Sequence, residues 1–164
     1  MVFIGTPITT QMTKVLIVCM GNVCRSPMAV AVATKLALDA GLERQLQFES
    51  AGTHAGRIGQ SPDSRAIAVL HRKGYEIQKK RSRQIVERDF VRFDAVLAMD
   101  RANLAELRRT CPSEHSHKLR LFLTNALNLE SDEIPDPYYG NLEGFERVLN
   151  LCEIGIRGFL AQKS

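Results

Sequence analysis

The sequence predicts an α/β protein: a four-stranded parallel sheet with helices on both faces and a strand-to-helix loop after the first strand. Three observations predict it. Segments that read as strands alternate with segments that read as helices along the chain. The first strand segment, Val15-Leu16-Ile17-Val18, is apolar at every position, as a strand covered on both faces must be. The loop that follows, Cys19 to Pro27, lies at the carboxyl end of that strand, where open α/β sheets bind ligands.

Taken in order, the run from Met28 to Leu38 reads as a helix entered at Pro27 and stopped by Gly41. Proline suits the first turn, where its missing N–H would have no partner anyway. Leu46-Gln47-Phe48-Glu49-Ser50-Ala51 alternates apolar and polar and reads as a second strand. Gly52 to Ser61 is turn-rich, and Pro62 to His71 is a helix closed by Gly74. A short helix is expected around Ile85 to Phe90 and a third strand at Phe93 to Met99. After Asp100, a helix through Asn103 to Leu107 is stopped by Pro112, and Lys118 to Leu123 supplies a fourth strand. An irregular stretch then leads to Ile134-Pro135-Asp136-Pro137-Tyr138-Tyr139-Gly140. The final helix, Leu142 to Ala161, has Phe145, Val148, Leu149, Cys152, Ile156, Phe159 and Leu160 on its buried face.

With 164 residues, 45% of them hydrophobic and 24% charged, the chain has the makings of one globular domain. It is read as a single domain over 13–164 preceded by a flexible N-terminal extension at 1–12. That extension lacks the basic start and long apolar centre of a secretory signal. No run approaches the roughly 18 apolar residues of a membrane span. The four cysteines, Cys19, Cys24, Cys111 and Cys152, show neither disulfide-framework nor zinc spacing, so no metal site is expected. A free thiolate suits a reducing compartment, which makes the cytoplasm the expected location. The net charge of +4 is spread along the chain, with only Lys79-Lys80-Arg81-Arg83 clustered, and no nucleic-acid motif is present. His54, His71, His115 and His117 have no triad-like context and are expected at the surface.

The loop after the first strand carries the chemistry. Its backbone N–H groups, with those of the following helix, can converge on one anion. A cysteine in that field is expected to ionise readily. Arg25 supplies a planar fork matched to two phosphate oxygens, and Ser26 can hydrogen-bond the thiolate. Gly21 and Asn22 are residue types that tolerate positive φ, which a loop curling round an anion needs. A thiolate, an oxyanion cradle and a fork describe a nucleophile aimed at phosphorus. The leaving oxygen then needs an acid, and Asp136, stiffened by Pro135 and Pro137, is the candidate.

Cys19-Met20-Gly21-Asn22-Val23-Cys24-Arg25-Ser26-Pro27 resembles the signature loop of the low-molecular-weight protein tyrosine phosphatases, and Asp136-Pro137-Tyr138-Tyr139 resembles their general-acid loop. Ser50 to Thr53, Pro62 to Ala66 and Ala98 to Leu104 extend the likeness in order from Val15 onward. The resemblance implies a phosphoric monoester hydrolase acting through a phosphocysteine, with no cofactor. Cys19 is the nucleophile, Arg25 binds phosphate and Asp136 is the general acid and base. Met20, Gly21, Asn22, Val23, Cys24 and Ser26 form the phosphate loop, and Tyr138 faces the substrate ring. Tyr139 is expected to pack against the last helix. Ser50 either joins Asn22 in a network bracing the loop or is a strand-end turn serine. Asp100 is a support, bonded to the loop or capping the next helix. Cys24 either forms a reversible disulfide with Cys19 or simply packs.

In the same family, protein-arginine phosphatases carry threonine at the place of Val23, so an apolar residue leans towards phosphotyrosine. The implied partner is a phosphotyrosine-bearing protein, a bacterial tyrosine kinase among the candidates. Two departures stand out. Gly56 occupies the place of a bulky rim residue, which predicts a lower rim. Lys80 replaces a histidine of the bracing network, and lysine cannot accept a hydrogen bond. Two other readings compete: a thiol-dependent arsenate reductase, which would need further cysteines to relay a disulfide, and a phosphotyrosine-binding module without turnover.

Overall fold

In the computed structural model, residues 11–163 are described. The expected extension at 1–12 therefore lies, up to residue 10, outside the described residues. Four parallel strands, β1 (Thr13–Cys19), β2 (Leu46–Gly52), β3 (Ala95–Ala98) and β4 (Leu119–Leu121), form one sheet in the order β2-β1-β3-β4. Every pairing is parallel, with Ile17 opposite both Ser50 and Leu97. The chain leaves β1 towards the β2 side and returns across it to β3. That reversal opens a crevice at the carboxyl ends of β1 and β3, and Cys19 closes β1 at that place.

The apolar run of β1 is buried on both faces because the pleat sends alternate residues to opposite sides. Val15 and Ile17 join the larger core beneath α1 (Arg25–Asp39), α2 (Ser64–Arg72) and α5 (Leu142–Ala161). Leu16 and Val18 join the smaller core with Phe90, Phe93, Leu104 and Leu107, from α3 (Glu87–Arg92), α4 (Arg101–Thr110) and the strand approach between them. No helix among the described residues is long and apolar enough to cross a membrane.

Boundaries differ from expectation where tertiary contacts override local pattern. The first helix begins at Arg25, two residues before Pro27, so Arg25 and Ser26 lie in its first turn. Proline remains compatible because the first N–H groups of a helix have no intrahelical acceptor. The short helix runs over Glu87–Arg92 rather than Ile85 to Phe90, its start held by the Asp89 carboxylate accepting the Val86 N–H at 2.8 Å. The third strand is trimmed to Ala95–Ala98. The fourth is reduced to Leu119–Leu121 because Phe122–Asn125 tightens into a 3-10 turn under α5. The helix comes so near that a Cβ on Gly158 would lie 2.6 Å from the Asn125 carbonyl oxygen. α5 keeps its predicted bounds and buried face, with Gly155 added to it.

One buried polar contact ties the turn after α2 to α5. The Tyr75 hydroxyl donates to Glu153 Oε2 at 2.8 Å, and the tyrosine is 6% exposed. Burial, then the bond to Glu153, pushes the Tyr75 phenol up to about 12. Its unfolded value is about 10. The contact therefore contributes fully below pH 10 and is lost as pH rises from 10 to 12. Tyr75→Phe should cost about 1 kcal/mol at pH 7. Urea titrations should show the gap between wild type and variant closing between pH 10 and 12; a constant gap would assign the alkaline loss elsewhere.

Candidate active site

The floor of the site is the turn from β1 into α1. Asn22 has φ of +57°, the single left-handed residue in this turn, and asparagine is one of the few side chains that visit that region readily. Gly21, expected to share the role, does not have positive φ; it provides room instead, since a Cβ there would lie 2.7 Å from Arg57 Cδ. Cys19 Sγ lies 3.0 Å from Ser26 Oγ and accepts the Asn22 N–H at 3.2 Å. The N–H groups of Gly21, Val23, Cys24, Arg25 and Ser26 have no acceptor among the described residues. Together with the start of α1 they form an anion cradle around the sulfur.

Arg25 is 3% exposed, and its Nη1 is fully used, donating to Asp100 Oδ2 at 2.6 Å and to the Ile134 carbonyl at 2.9 Å. Its Nε and Nη2 make no hydrogen bond among the described residues. That leaves two donors on one edge of a fixed plane, the geometry suited to two oxygens of one phosphoryl group. Burial works against the Arg25 charge, but Cys19 and the Asp100 carboxylate more than restore it and hold its pKa above the usual value. Asp100 also caps α4, accepting the Asn103 N–H at 2.7 Å. The two supporting arrangements considered for it as alternatives, a bond to the loop and a helix cap, occur together. Losing this partner would strand a buried cation, a change that typically costs about 3–5 kcal/mol.

Asn22 is fixed on three sides. Its Nδ2 donates to Ser26 Oγ and to Ser50 Oγ, each at 2.9 Å, and its Oδ1 accepts the Arg83 N–H at 3.0 Å. Ser50 thus stands in the bracing network. Lys80 does not: it is exposed, with its ammonium 4.0 Å from Glu49. The network closes without it, through the Arg83 backbone.

Asp136 and Tyr138 arrive from the loop before α5. Asp136 Oδ1 accepts the Tyr138 N–H at 3.0 Å, while Oδ2 lies 3.8 Å from Arg25 Nη2. The loop is fastened at both ends. Upstream, the Ile134 N–H donates to the Met99 carbonyl at 2.9 Å. Downstream, Arg65 donates to the Tyr138 and Gly140 carbonyls at 2.8 and 3.1 Å. Arg65 is itself gripped by Asp63, whose carboxyl that guanidinium holds below the ordinary range. The Asp63 N–H in turn donates to the Val23 carbonyl at 2.8 Å. One Asp-Arg pair therefore spans the phosphate loop and the Asp136 loop. Cys19, Met20, Gly21, Val23, Cys24, Arg25, Asp136 and Tyr138 all line one cavity of about 320 Å³ including its open mouth, with Arg57 and Tyr139 completing the rim.

A sequence model of the family described as low molecular weight phosphotyrosine protein phosphatase matches residues 14–163. The chain belongs to this family. It is 42% identical over 154 residues to low molecular weight phosphotyrosine protein phosphatase 2 of Drosophila melanogaster, covering 93% of each chain. It is 39% identical over 152 residues to the human low molecular weight phosphotyrosine protein phosphatase, covering 92% of this chain and 96% of that one. Among solved structures it resembles a protein tyrosine phosphatase from Entamoeba histolytica with Hepes in the active site. The TM-score is 0.89 at 36% identity, with 92% of this chain and 96% of that chain covered. Vibrio vulnificus Wzb in complex with benzylphosphonate matches with a TM-score of 0.80 at 26% identity, covering 93% and 99%.

Within this low molecular weight phosphatase, the place of Gly56 is open, while Arg57 next to it stacks on Tyr138 with its guanidinium carbon 3.5 Å from the ring centroid. One rim expectation is corrected. Tyr139 does not pack against the last helix. It is 91% exposed and stands edge-on to Tyr138 at 4.9 Å between centroids. The histidines are exposed except His115, which is half-buried. Cys24 is buried, and burial, then the Asp63 carboxylate, pushes its thiol up to about 12. Sequence reasoning missed Arg57, the Asp63–Arg65 pair and Gly52. At Gly52 a Cβ would lie 2.7 Å from the Met20 carbonyl oxygen, so the loop can close against β2 only over a bare backbone. The Asp-Ser-Arg spacing at the start of α2 was visible, but its distant partners were not.

Proposed function

We propose that the protein hydrolyses phosphotyrosine in proteins through a phosphocysteine intermediate, and that residues 13–164 form the phosphatase domain. The observation that carries this reading is the sharing of one cavity by the Cys19 sulfur, the free edge of Arg25 and the Asp136 carboxyl. The phosphoryl group sits in the cradle with its equatorial oxygens on the loop amides and on Arg25 Nε and Nη2. The Cys19 thiolate attacks phosphorus in line, an S–P bond forms and the P–O bond to the aryl group breaks. Asp136 gives its proton to the departing phenol oxygen. As carboxylate, it then takes a proton from water. The water oxygen attacks phosphorus, the S–P bond breaks, and orthophosphate and the thiolate are regenerated. Ser26 Oγ, 3.0 Å from the sulfur, stabilises the thiolate each time it appears.

The backbone of Met20, Gly21, Val23, Cys24 and Ser26 holds the phosphate, Asn22 shapes that turn and donates its N–H to the sulfur, Tyr138 flanks the ring, and Ser50 and Asp100 brace loop and arginine. The partner we infer is a phosphotyrosine-bearing protein, a tyrosine kinase among them, met in the cytoplasm. Beyond Cys24, which shares the cavity with Cys19, the arsenate-reductase reading finds no further cysteine to carry a disulfide onward: Cys152 is fully buried in α5, and Cys111 packs with the core on the other side of the sheet.

The test is hydrolysis of p-nitrophenyl phosphate and a phosphotyrosine peptide in chelator, with vanadate as inhibitor. Release of orthophosphate from both, with label trapped on Cys19 by acid quench, is expected. Failure to release phosphate from the peptide, or arsenate consumption coupled to a dithiol reductant, would overturn the reading.

A further inference from the structure

Arg57 separates two concave surfaces. On one side is the catalytic cavity, where its guanidinium covers the face of Tyr138. On the other is a shallow recess lined by Met20, Gly21, His54, Gly56, Arg57 and Gln60. The Arg57 guanidinium has no carboxylate partner among the described residues. Its neighbour Arg65, by contrast, is gripped by Asp63. The backbone beneath Arg57 is anchored: Ser82 Oγ donates to the Arg57 carbonyl, the Gly59 N–H donates to the Ser82 carbonyl at 2.9 Å, and the Gln60 N–H donates to Ser82 Oγ at 2.9 Å. The backbone of this part of the rim is thus held, and the space at Gly56 beside Arg57 is open.

A substrate phenyl ring entering the cavity competes with Arg57 for the face of Tyr138. The cation–π attraction given up in that exchange must be replaced for binding to be efficient. We propose that Arg57 is a specificity-determining residue, and that the recess beside it is a subsite for an acidic side chain next to the phosphotyrosine. This rests on the phosphotyrosine phosphatase reading. In the free enzyme the guanidinium lies on Tyr138. With substrate bound it turns into the recess and pairs with an aspartate or glutamate of the peptide. His54, exposed at the edge of the same recess, adds no negative charge to oppose it.

The experiment compares kcat/KM for two phosphotyrosine peptides that differ only in acidic or neutral residues flanking the phosphotyrosine, with p-nitrophenyl phosphate as a substrate lacking flanks. Wild type should favour the acidic peptide roughly fivefold at low ionic strength, the scale of one exposed ion pair. The preference should shrink as salt shortens the screening length. Arg57→Ala should abolish it and lower the KM for p-nitrophenyl phosphate, because no stack must be broken. Arg57→Lys should keep much of the preference, since the charge remains. Wild-type turnover of both peptides without discrimination sinks the subsite alone, as does an acidic preference that survives Arg57→Ala. A KM for p-nitrophenyl phosphate that rises in Arg57→Ala as much as the peptide KM would make Arg57 a general wall of the pocket, and also overturns the proposal. Turnover of neither peptide by wild type removes the phosphatase reading and this inference with it.

Discussion

Cys19→Ser is expected to lower kcat by at least about 10⁴-fold, the scale seen when a catalytic nucleophile is removed. Serine is nearly isosteric, so the Asn22 N–H and Ser26 Oγ that meet the sulfur at 3.2 and 3.0 Å can meet the oxygen instead. The hydroxyl, however, does not ionise where a thiol can, and an alkoxide makes the weaker attack on phosphorus at neutral pH. The anion cradle does not depend on the sulfur. Its amides and the Arg25 edge belong to the backbone turn and to a guanidinium held by Asp100 and Ile134. Inorganic phosphate should therefore bind the variant as well as wild type, or more tightly, because a like charge has been removed from the site. Calorimetric titration with phosphate and steady-state kinetics together decide the matter. Residual turnover within tenfold of wild type would remove Cys19 as nucleophile, whereas loss of both turnover and phosphate binding would mean that the sulfur holds the loop together.

How far such a site can be read from residues alone follows from the range of the contacts involved. The phosphate loop was legible because its parts are neighbours in the chain. A buried strand, a residue tolerant of positive φ at Asn22 and a helix start within nine residues leave one conformation that aims their groups together. Asp136 was legible because flanking prolines mark a stiff presenting loop. The order of strands and helices was also legible, since the apolar run of β1 and the apolar stripe of α5 each specify their surroundings. What escaped was long-range. Arg65 reaches Tyr138 across 73 residues and Gly140 across 75, and an arginine on a helix carries no local sign of such partners. Arg57 escaped because an arginine in a turn carries no local sign that it will stack on a tyrosine from the distant loop before α5. The fourth strand was overextended because Phe122 and Leu123 are apolar for α5 and not for the sheet. Apolar pattern alone does not say which neighbour is being packed against.

Asp136→Ala should produce a loss that depends on the leaving group. For phosphotyrosine, whose phenol is a poor leaving group, kcat/KM should fall by about 10²-fold or more, the usual contribution of a positioned general acid. For p-nitrophenyl phosphate, whose phenolate leaves readily, the fall in kcat/KM should be much smaller. The same carboxyl is then needed to activate water, so kcat should drop for both substrates and phosphocysteine should accumulate, visible as a burst of p-nitrophenol. The reason lies in how the carboxyl is held. Oδ1 is occupied by the Tyr138 N–H, leaving Oδ2 as the oxygen that can carry a proton towards the cavity. Pro135 and Pro137 limit its swing. Arg25 bonds the Ile134 carbonyl while Arg65 bonds the Tyr138 and Gly140 carbonyls, so the arginine that binds phosphate, with a second arginine outside the cavity, also sets the position of the acid. A mutation in that frame, away from the carboxyl itself, should reproduce the leaving-group dependence in weaker form, because displacing an acid by an ångström removes much of what deleting it removes. Equal losses of kcat/KM for both leaving groups in Asp136→Ala would show that the carboxyl has no part in expelling the phenol, and the acid would have to be sought elsewhere on the rim.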